Sequence, residues 1–181
     1  MDVSCLGRAG EAEMSVSPTI RRETSADQAA IREVHRRSFP SEAEGELVDA
    51  LREARRLTIS LVAEVEGAIV GHVAFSPVTA GETMGLGLAP VAVLPDYRRR
   101  GIAAELIRAG LAEAARIGGG YAVVLGEPEY YGRFGFRPAA EWGLHDAYGG
   151  GDAFQALSFQ PGAIPRGAGL VRYAPEFDRF A

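Results

Sequence analysis

Apolar residues at helical spacing mark two short segments near the start of the chain, after a run from Thr19 to Glu23 that predicts an edge strand. In the first segment, Ala30, Ile31 and Val34 fall on one helical face, and Pro40 ends the pattern. In the second, the apolar stripe consists of Leu47, Val48, Leu51 and Ala54. Each segment opens on a capping-box pattern, at Ser25 to Gln28 and at Ser41 to Glu44. The sequence therefore predicts two consecutive helices.

The hydrophobic period then changes to two. Leu57 to Val65 alternates between better-buried and more polar positions, Glu66-Gly67 turns the chain, and Ile69 to Val78 predicts a second strand, so the pair indicates an antiparallel hairpin. A turn predicted at Gly81 to Gly85 precedes a third strand, Gly87 to Leu94. These strands predict a mainly antiparallel sheet.

A strongly amphipathic helix follows, from Gly101 to Ile117, and three glycines end it. Tyr121 to Leu125 is a continuous apolar run, which is typical of a buried strand parallel to the one before the helix. Strand, helix and strand form a βαβ unit. One or two helical turns at Tyr130 to Phe134, an edge segment at Phe136 to Pro138 and a last strand at Ala153 to Phe159 complete the predicted elements. The fold class is α/β, with a mixed sheet and flanking helices.

The two ends of the chain differ from its centre. Residues 1–18 have no strong period and predict a flexible leader, within which Met14 is an alternative start to Met1. The leader also contains Cys5, for which we expect no catalytic role. Residues 161–181 are rich in glycine and proline but include Tyr173, Phe177 and Phe180, so we expect this tail to pack on the domain. We assign one domain to residues 19–160.

Composition narrows the classes of function. The chain has 181 residues, 47% of them hydrophobic, and a formal net charge of -5 with a pI near 5.3. An acidic chain is a poor partner for nucleic acid, so none is expected. The single cysteine excludes an intramolecular disulfide, and no apolar run is long enough to span a membrane. A cytoplasmic location is expected.

The densest candidate chemistry lies where the strand ending near Pro95 meets the helix that starts at Gly101. Three arginines, Arg98 to Arg100, occupy the turn, and the first N–H groups of a helix have no intrahelical partners. Together they favour a phosphate group, although such a turn is also typical of a solvated surface or a nucleic-acid contact. The histidines His35, His72 and His145 lack metal-ligand spacing, so no metal is expected.

Two motifs resemble those of the GCN5-related N-acetyltransferases (GNAT). Arg98 to Ala103 fits the family signature Arg/Gln-x-x-Gly-x-Gly/Ala, and Tyr130 to Phe136, YYGRFGF, resembles its later tyrosine segment. The segments GHVAFSPV and EPEYYGRFGF are similar to those of the subgroup of predicted acetyltransferases called YhbS-like. The resemblance covers Thr19 to Phe159 and implies a GNAT-type fold: a mixed, mostly antiparallel sheet with a central βαβ unit.

The resemblance also implies where acetyl-CoA, the cosubstrate, would bind. The pantetheine arm would lie along Val91, Ala92 and Val93, and the pyrophosphate around Arg98, Arg99, Arg100, Gly101, Ile102, Ala103 and Ala104. Tyr131 would protonate the departing thiolate. The attacking amine needs a base, for which Glu127, Glu129 and His72 are candidates. Several family members carry an asparagine shortly before the tyrosine segment, whereas Gly126 to Tyr130 contains none.

The implied activity is acetyl transfer from acetyl-CoA to a primary amine by direct attack in a ternary complex. The acceptor would be a small-molecule or peptide amine, whose identity the sequence does not encode. Two alternatives stay open: a sensor that binds acyl-CoA without turnover, and another phosphate-binding module such as a nucleotide binder. No metal or membrane partner is implied, and homodimerisation is compatible with the pattern although no particular residue indicates it.

Overall fold

The computed structural model describes residues 17–164, 166–167 and 169–180. The predictions for the leader, including Cys5 and the choice between Met1 and Met14, fall almost wholly outside these residues. The α-helices are α1 (Gln28–Ser38), α2 (Ala43–Glu53), α3 (Ile102–Arg116) and α4 (Pro128–Gly132). The strands are β1 (Thr19–Arg22), β2 (Ile59–Val65), β3 (Ala68–Ala80), β4 (Thr83–Val93), β5 (Tyr121–Leu125), β6 (Arg137–Pro138), β7 (Leu144–His145), β8 (Phe154–Ser158) and β9 (Gly169–Arg172).

Seven strands follow one another across the main sheet in the order β1-β2-β3-β4-β5-β8-β6. Neighbours along this order are antiparallel except for β4 and β5, which are parallel and joined by α3. A parallel pair needs a long crossover, and a helix supplies it. The predicted mixed, mostly antiparallel sheet with a central βαβ unit and flanking helices is therefore confirmed.

The sheet is covered on both faces. Helix α3 buries Ile102, Leu106 and Ile107 in the larger core, together with Ile59 and Phe75 of the sheet. Helices α1 and α2 cover the other face, where a second cluster contains Ile31, Val48, Val62 and Ala74. These three helices bury the apolar stripes that the sequence predicted, because doing so removes apolar surface from water, except that Ala54 lies exposed just after α2.

The tail contributes a strand that the sequence did not predict. Strand β9 pairs with β3, with Thr79 opposite Arg172, and also with β7. A turn of 3-10 helix, Pro175–Arg179, then brings Phe177 against the cluster of α2 and the tail. Four residues are too few for a period-two pattern to stand out, so the strand becomes visible only through its partner.

Several predicted boundaries are wrong. The reciprocal cap at α1 joins Thr24 and Asp27, one residue before the predicted pair, with the Thr24 N–H donating to Asp27 Oδ2 at 2.7 Å. Arg21 holds Asp27 there through two further hydrogen bonds. Helix α2 begins at Ala43 after Glu42, and the predicted reciprocal cap is absent: Ser41 Oγ accepts from the Ala43 N–H and donates to Glu44, each at 3.3 Å. Strand β4 begins at Thr83, inside the turn predicted at Gly81 to Gly85, because Gly85 lies within the strand against the ring of Tyr121.

Candidate functional site

Strands β4 and β5 separate after a short stretch of pairing. Their parallel register joins Leu86 with Ala122 and Gly87 with Val123, whereas Val91 to Val93 pair only with β3 among the described strands. The Leu94 N–H donates to Val70 O at 2.9 Å, and backbone groups alternate sides along an antiparallel strand. Val91 and Val93 therefore turn their N–H and C=O groups toward the open edge, and Ala92 turns its own toward β3.

Beyond this open edge lies a cavity of about 400 Å³ at the start of α3, which we call the arginine cavity. It is lined by Val93, Tyr97, Arg98, Arg99, Gly101, Ile102, Ala103, Ala104, Tyr130 and Arg133. The N–H groups of the first helical turn have no partners within the helix, and the helix dipole adds partial positive charge. The cavity therefore offers backbone donors and cationic side chains to an anion.

The three adjacent arginines have different surroundings. Arg98 lines the cavity, but its guanidinium also donates to Val93 O at 3.1 Å and to Ser38 O at 3.0 Å. Arg99 lines the cavity as well, with φ of 62°. Arg100 lies over the ring of Tyr97, 5.4 Å from its centroid, and is not among the lining residues. The sequence predicted one role for all three, whereas the structure brings two of them to the cavity.

Gly101 has a backbone conformation that the site requires. Its φ is 80°, in the left-handed region, and a Cβ placed there would meet no atom within 4 Å. The conformation disfavours L side chains, and the surrounding space is left open beside the first N–H groups of α3. The same glycine thus starts the helix and allows a ligand to approach it closely.

Tyr131 is not among the residues that line the arginine cavity, but it packs against Tyr130, which is. Its ring is 5.2 Å from that of Tyr130, centroid to centroid, and a side chain on Gly126 would come within 2.3 Å of it. Tyr131 is 9% exposed, and burial raises its pKa to about 12. The phenol is therefore protonated at physiological pH and can act as a proton donor.

Sequence reasoning missed Tyr97, Tyr130 and Arg133 as wall residues. Arg133 lies over the Tyr130 ring at 4.3 Å and donates to Tyr130 O at 3.2 Å. The signal was present in the tyrosine segment: positions three apart on a helical turn share a face, which brings Arg133 beside Tyr130. Tyr97 had no comparable pattern.

The predicted bases are not brought to this cavity. Glu127 is exposed and precedes α4, where its carbonyl accepts from Tyr131 N–H at 3.0 Å. Glu129 is also exposed. His72 is fully buried on β3, opposite Ala92. Among the described residues, none of these three side chains lines the arginine cavity.

His72 belongs to a buried chain of hydrogen bonds. Its Nδ1 lies 2.9 Å from His35 Nε2, and its Nε2 lies 2.8 Å from Ser60 Oγ, which in turn donates to Glu23. Arg52 donates to the same carboxylate at 2.8 Å. Since Ser60 donates its proton to Glu23, His72 Nε2 must be the donor to Ser60, and His35 Nε2 the donor to His72 Nδ1. Both imidazoles are neutral in this arrangement.

The pKa values follow from that chain. Burial is the main cause that lowers the pKa of His35 to about 3, and it also lowers the pKa of His72. Burial alone would raise the pKa of Glu23, but its contacts with His72, Arg52 and Ser60 lower it to about 2. A neutral, enclosed histidine whose two nitrogens both have partners is a weak base for an incoming substrate.

A second cavity, of about 290 Å³, lies where β4 and β5 begin to separate. We call it the aromatic cavity, and its walls come from five parts of the chain. They are Ala43, Glu44 and Leu47 of α2; Leu88 and Ala89 of β4; Leu125 at the end of β5; and Tyr148, Tyr173, Phe177 and Phe180. None of these residues was predicted as a site residue.

Among residues 17–164, 166–167 and 169–180, no group of three or more His, Cys, Asp or Glu side chains could hold a metal ion. In the same ranges, no helix has both the length and the apolar character that a membrane crossing requires.

Comparisons with known proteins agree with this arrangement. Residues 28–136 match the acetyltransferase (GNAT) family. The Uncharacterized N-acetyltransferase YhbS of Escherichia coli K12 is 42% identical over 165 residues, which span 89% of this chain and 99% of the relative. The crystal structure of Escherichia coli YhbS in complex with CoA has a TM-score of 0.87 at 39% identity, covering 92% of this chain and 94% of that one. A GNAT family acetyltransferase from Brucella melitensis, in complex with acetyl-CoA, has a TM-score of 0.76 at 42% identity, covering 90% and 99%.

Proposed function

This chain belongs to the GNAT family of N-acetyltransferases, and from that premise we propose that it transfers the acetyl group of acetyl-CoA to a primary amine by direct attack in a ternary complex. The observation that carries the proposal is the arginine cavity beside the open edge of Val91 and Val93. The CoA and acetyl-CoA complexes of the two similar proteins support it.

The residues present fit a CoA pyrophosphate at the start of α3. The N–H groups of Ile102, Ala103 and Ala104 would donate to phosphate oxygens, since none has a partner inside the helix. Arg99 adds positive charge, and Arg98 orders the turn through its bonds to Val93 and Ser38. Arg100, turned toward Tyr97, contributes charge from a distance.

The open edge of β4 would bind the pantetheine arm. Val91 and Val93 direct backbone groups there, so each can pair with an amide of the arm as a neighbouring strand would. The C=O of Val93 already accepts from Ser38 and Arg98, which leaves its N–H as the group to donate. Ala92 supports this edge through its pairing with β3.

Bound acetyl-CoA supplies an acetyl group activated as a thioester. The neutral amine of the acceptor attacks the carbonyl carbon, the C–N bond forms and the C–S bond breaks. A backbone N–H at the open edge of β4 would stabilise the negative charge that develops on the carbonyl oxygen. One amide and one free thiol result, and the nitrogen loses one proton.

Tyr131 would donate its phenolic proton to the sulfur as the C–S bond breaks. Its pKa of about 12 keeps that proton in place until the sulfur becomes basic. The pKa of a thiol is about 8.5 in water. The apolar surroundings that raise the pKa of the phenol raise that of the thiol as well, so the difference between the two pKa values is smaller in the site than about 12 against about 8.5 suggests.

The proton lost by the amine needs an acceptor. Among the three bases predicted from the sequence, we favour Glu127 over His72, because the Glu127 carboxylate is exposed to solvent that can relay the proton. His72 is enclosed, and its ring nitrogens are bound to His35 and Ser60. A proton could reach His72 only after this series of hydrogen bonds rearranged.

Release of free thiol from acetyl-CoA, measured with a panel of primary amines, tests the proposal. We expect thiol to appear together with an equal amount of acetylated amine, identified by mass spectrometry. Binding of CoA in calorimetry without thiol release across the panel would favour the acyl-CoA sensor. Displacement of a bound probe by ATP but not by CoA would favour the nucleotide binder.

A further inference from the structure

The aromatic cavity has one charged wall residue and several rings. Among the described residues that line it, Glu44 alone carries a charge, and its side chain is half-buried. Its hydrogen bond within the described part of the chain is a long one, accepted from Ser41 Oγ at 3.3 Å. A carboxylate at the edge of an apolar space attracts a cation more strongly than it would in open water.

The rings form a connected series along one wall. The centroids of Tyr148 and Tyr173 are 5.7 Å apart, and those of Tyr173 and Phe177 are 5.1 Å apart. Aromatic faces carry negative potential, so they bind cations as well as apolar groups. The wall therefore favours a ligand that combines both.

Local contacts hold this wall in place. Asp146 accepts from the N–H groups of Tyr148, Gly149 and Gly150, which fixes the loop that carries Tyr148. The tail that carries Phe177 is tied down by the ion pair of Arg56 and Glu176 at 3.0 Å. The shape of the cavity is thus set before a ligand arrives.

The position of the cavity relates it to the proposed donor site. Leu88 and Ala89 lie on β4 just before the open edge, and Leu125 ends β5 next to Gly126, against which Tyr131 packs. The aromatic cavity and the arginine cavity therefore approach the point where β4 and β5 separate from two different directions.

We propose that the aromatic cavity binds the acceptor, and that the acceptor is a small primary amine attached to an aromatic or bulky apolar group. Its ammonium ion pairs with Glu44 on binding and gives up one proton to solvent before the neutral amine attacks. That the bound amine is the acetyl acceptor rests on the proposed function. The binding preference rests on the cavity alone.

Size and charge argue against a polycationic sugar. The volume of the aromatic cavity, about 290 Å³, matches the smallest pockets that bind small molecules, whose volumes start at about 300 Å³. A sugar with several ammonium and hydroxyl groups would lose its hydrogen bonds to water against these walls, and one carboxylate cannot replace them.

Calorimetry on the CoA-saturated protein tests the preference with matched ligands. We expect 2-phenylethylamine to bind at least about tenfold more tightly than 2-methoxyethylamine, which lacks the ring, and than 2-phenylethanol, which lacks the charge. The aminoglycoside kanamycin should bind more weakly than 2-phenylethylamine. Equal binding of the two amines, or tighter binding of kanamycin, would overturn the proposal.

Two variants of helix α2 separate a specific contact from a general change of charge. Glu44→Gln should lower the affinity for 2-phenylethylamine about tenfold and leave that for 2-phenylethanol unchanged. Glu46→Gln, two residues along and facing a different cavity, should change neither. Tyr148→Ala should weaken both ring-bearing ligands. Equal effects of Glu44→Gln and Glu46→Gln would exclude the ion pair.

Failure of this inference and failure of the proposed function give different results. If 2-phenylethylamine binds with the expected preference but no thiol is released, the binding preference of the cavity is confirmed and acetyl transfer is excluded. If thiol is released with amines whose binding ignores Glu44 and Tyr148, acetyl transfer stands and the aromatic cavity is not the acceptor site.

Discussion

The arginine cavity and the aromatic cavity lie on two sides of the point where β4 and β5 separate, but they are built differently. Val93 to Ala104, together with the tyrosine segment, forms the arginine cavity from neighbouring residues and backbone groups. The aromatic cavity needs side chains from α2, β4, β5, one loop and the tail. A site made by local backbone geometry leaves a motif in the sequence, whereas a site made by convergence of distant segments leaves none.

The difference predicts how each cavity responds to substitution. At the arginine cavity, a change that alters backbone conformation should matter most, because the donors are N–H groups. At the aromatic cavity, side-chain identity should matter most, because the walls are rings and one carboxylate. Tyr131 lies between the two and should affect the reaction without affecting either binding step.

The largest effect is expected at Tyr131. Tyr131→Phe should lower kcat about 100-fold or more, since a positioned acid is lost, with little change in the affinity for acetyl-CoA. Tyr121→Phe is the matched control, because burial raises the pKa of Tyr121 to about 12 as well. The Tyr121 hydroxyl donates to Thr83 O at 3.2 Å, and Tyr121 lines neither cavity. If steady-state kinetics show both variants within twofold of the parent, Tyr131 has a packing role and is not the proton donor.

Next in size is the backbone change at the start of α3. Gly101→Leu should raise the Kd of CoA by about tenfold, because a side chain disfavours the left-handed conformation by about 1–2 kcal/mol and the phosphate donors shift when the backbone leaves it. Gly67→Leu is the control, at a turn with φ of 82° and an equally open surrounding. Calorimetry should show unchanged CoA affinity for Gly67→Leu. Equal affinities for all three proteins would exclude the start of α3 as the phosphate site.

The buried histidine pair should affect stability rather than binding. Burial lowers the pKa of His35 to about 3, below the value of about 6.5 in an unfolded chain. Between these values the unfolded chain binds a proton that the native protein does not, so stability should fall as pH drops below about 6.5, by about 1.4 kcal/mol per pH unit for each such histidine.

Urea unfolding from pH 7 to pH 5 measures that slope. His35→Gln should make the slope shallower, while His145→Gln, at the exposed third histidine, should leave it as in the parent. A stability that stays flat over this range would contradict the neutral, buried pair.

The smallest effect concerns the tail. Glu176→Gln breaks the ion pair with Arg56, which we expect to cost about 0.5 kcal/mol of stability, since one partner is well exposed. By loosening the tail it should raise KM for an aromatic amine about twofold to threefold without changing KM for acetyl-CoA. Glu33→Gln, which breaks an exposed pair with Arg36, is the control. A matching rise in KM for acetyl-CoA would show that the two cavities are not independent.

Much of the fold could be predicted from the sequence, because its elements have clear periods and ends. The stripe of α3, the apolar run of β5 and the motif at Arg98 to Ala103 are all local. The strand β9 could not be predicted, since its few residues gain their conformation from pairing with β3. His72 looked available as a base because a period-two pattern gives the face of a residue but not what covers it, here His35.

The same limit applies to the site. Gly101 was identified because it opens the amphipathic pattern of α3 and lies in the motif at Arg98 to Ala103, and both signals are local. Glu44 and Tyr148 were not, because no local pattern records that two residues far apart in the chain face one cavity. Arg100 was assigned with its neighbours because sequence shows adjacency and not direction.

Whether the two cavities bind the two substrates of one reaction is tested most directly by the affinity of a bisubstrate analogue. In this analogue, the CoA sulfur is joined through an acetyl spacer to 2-phenylethylamine. If the two cavities hold the two substrates of one reaction, the analogue should bind at least about 100-fold more tightly than CoA, because one molecule then makes both sets of contacts. Gly101→Leu and Tyr148→Ala should each weaken it. An analogue that binds no more tightly than CoA, and whose affinity does not depend on Tyr148, would contradict the account.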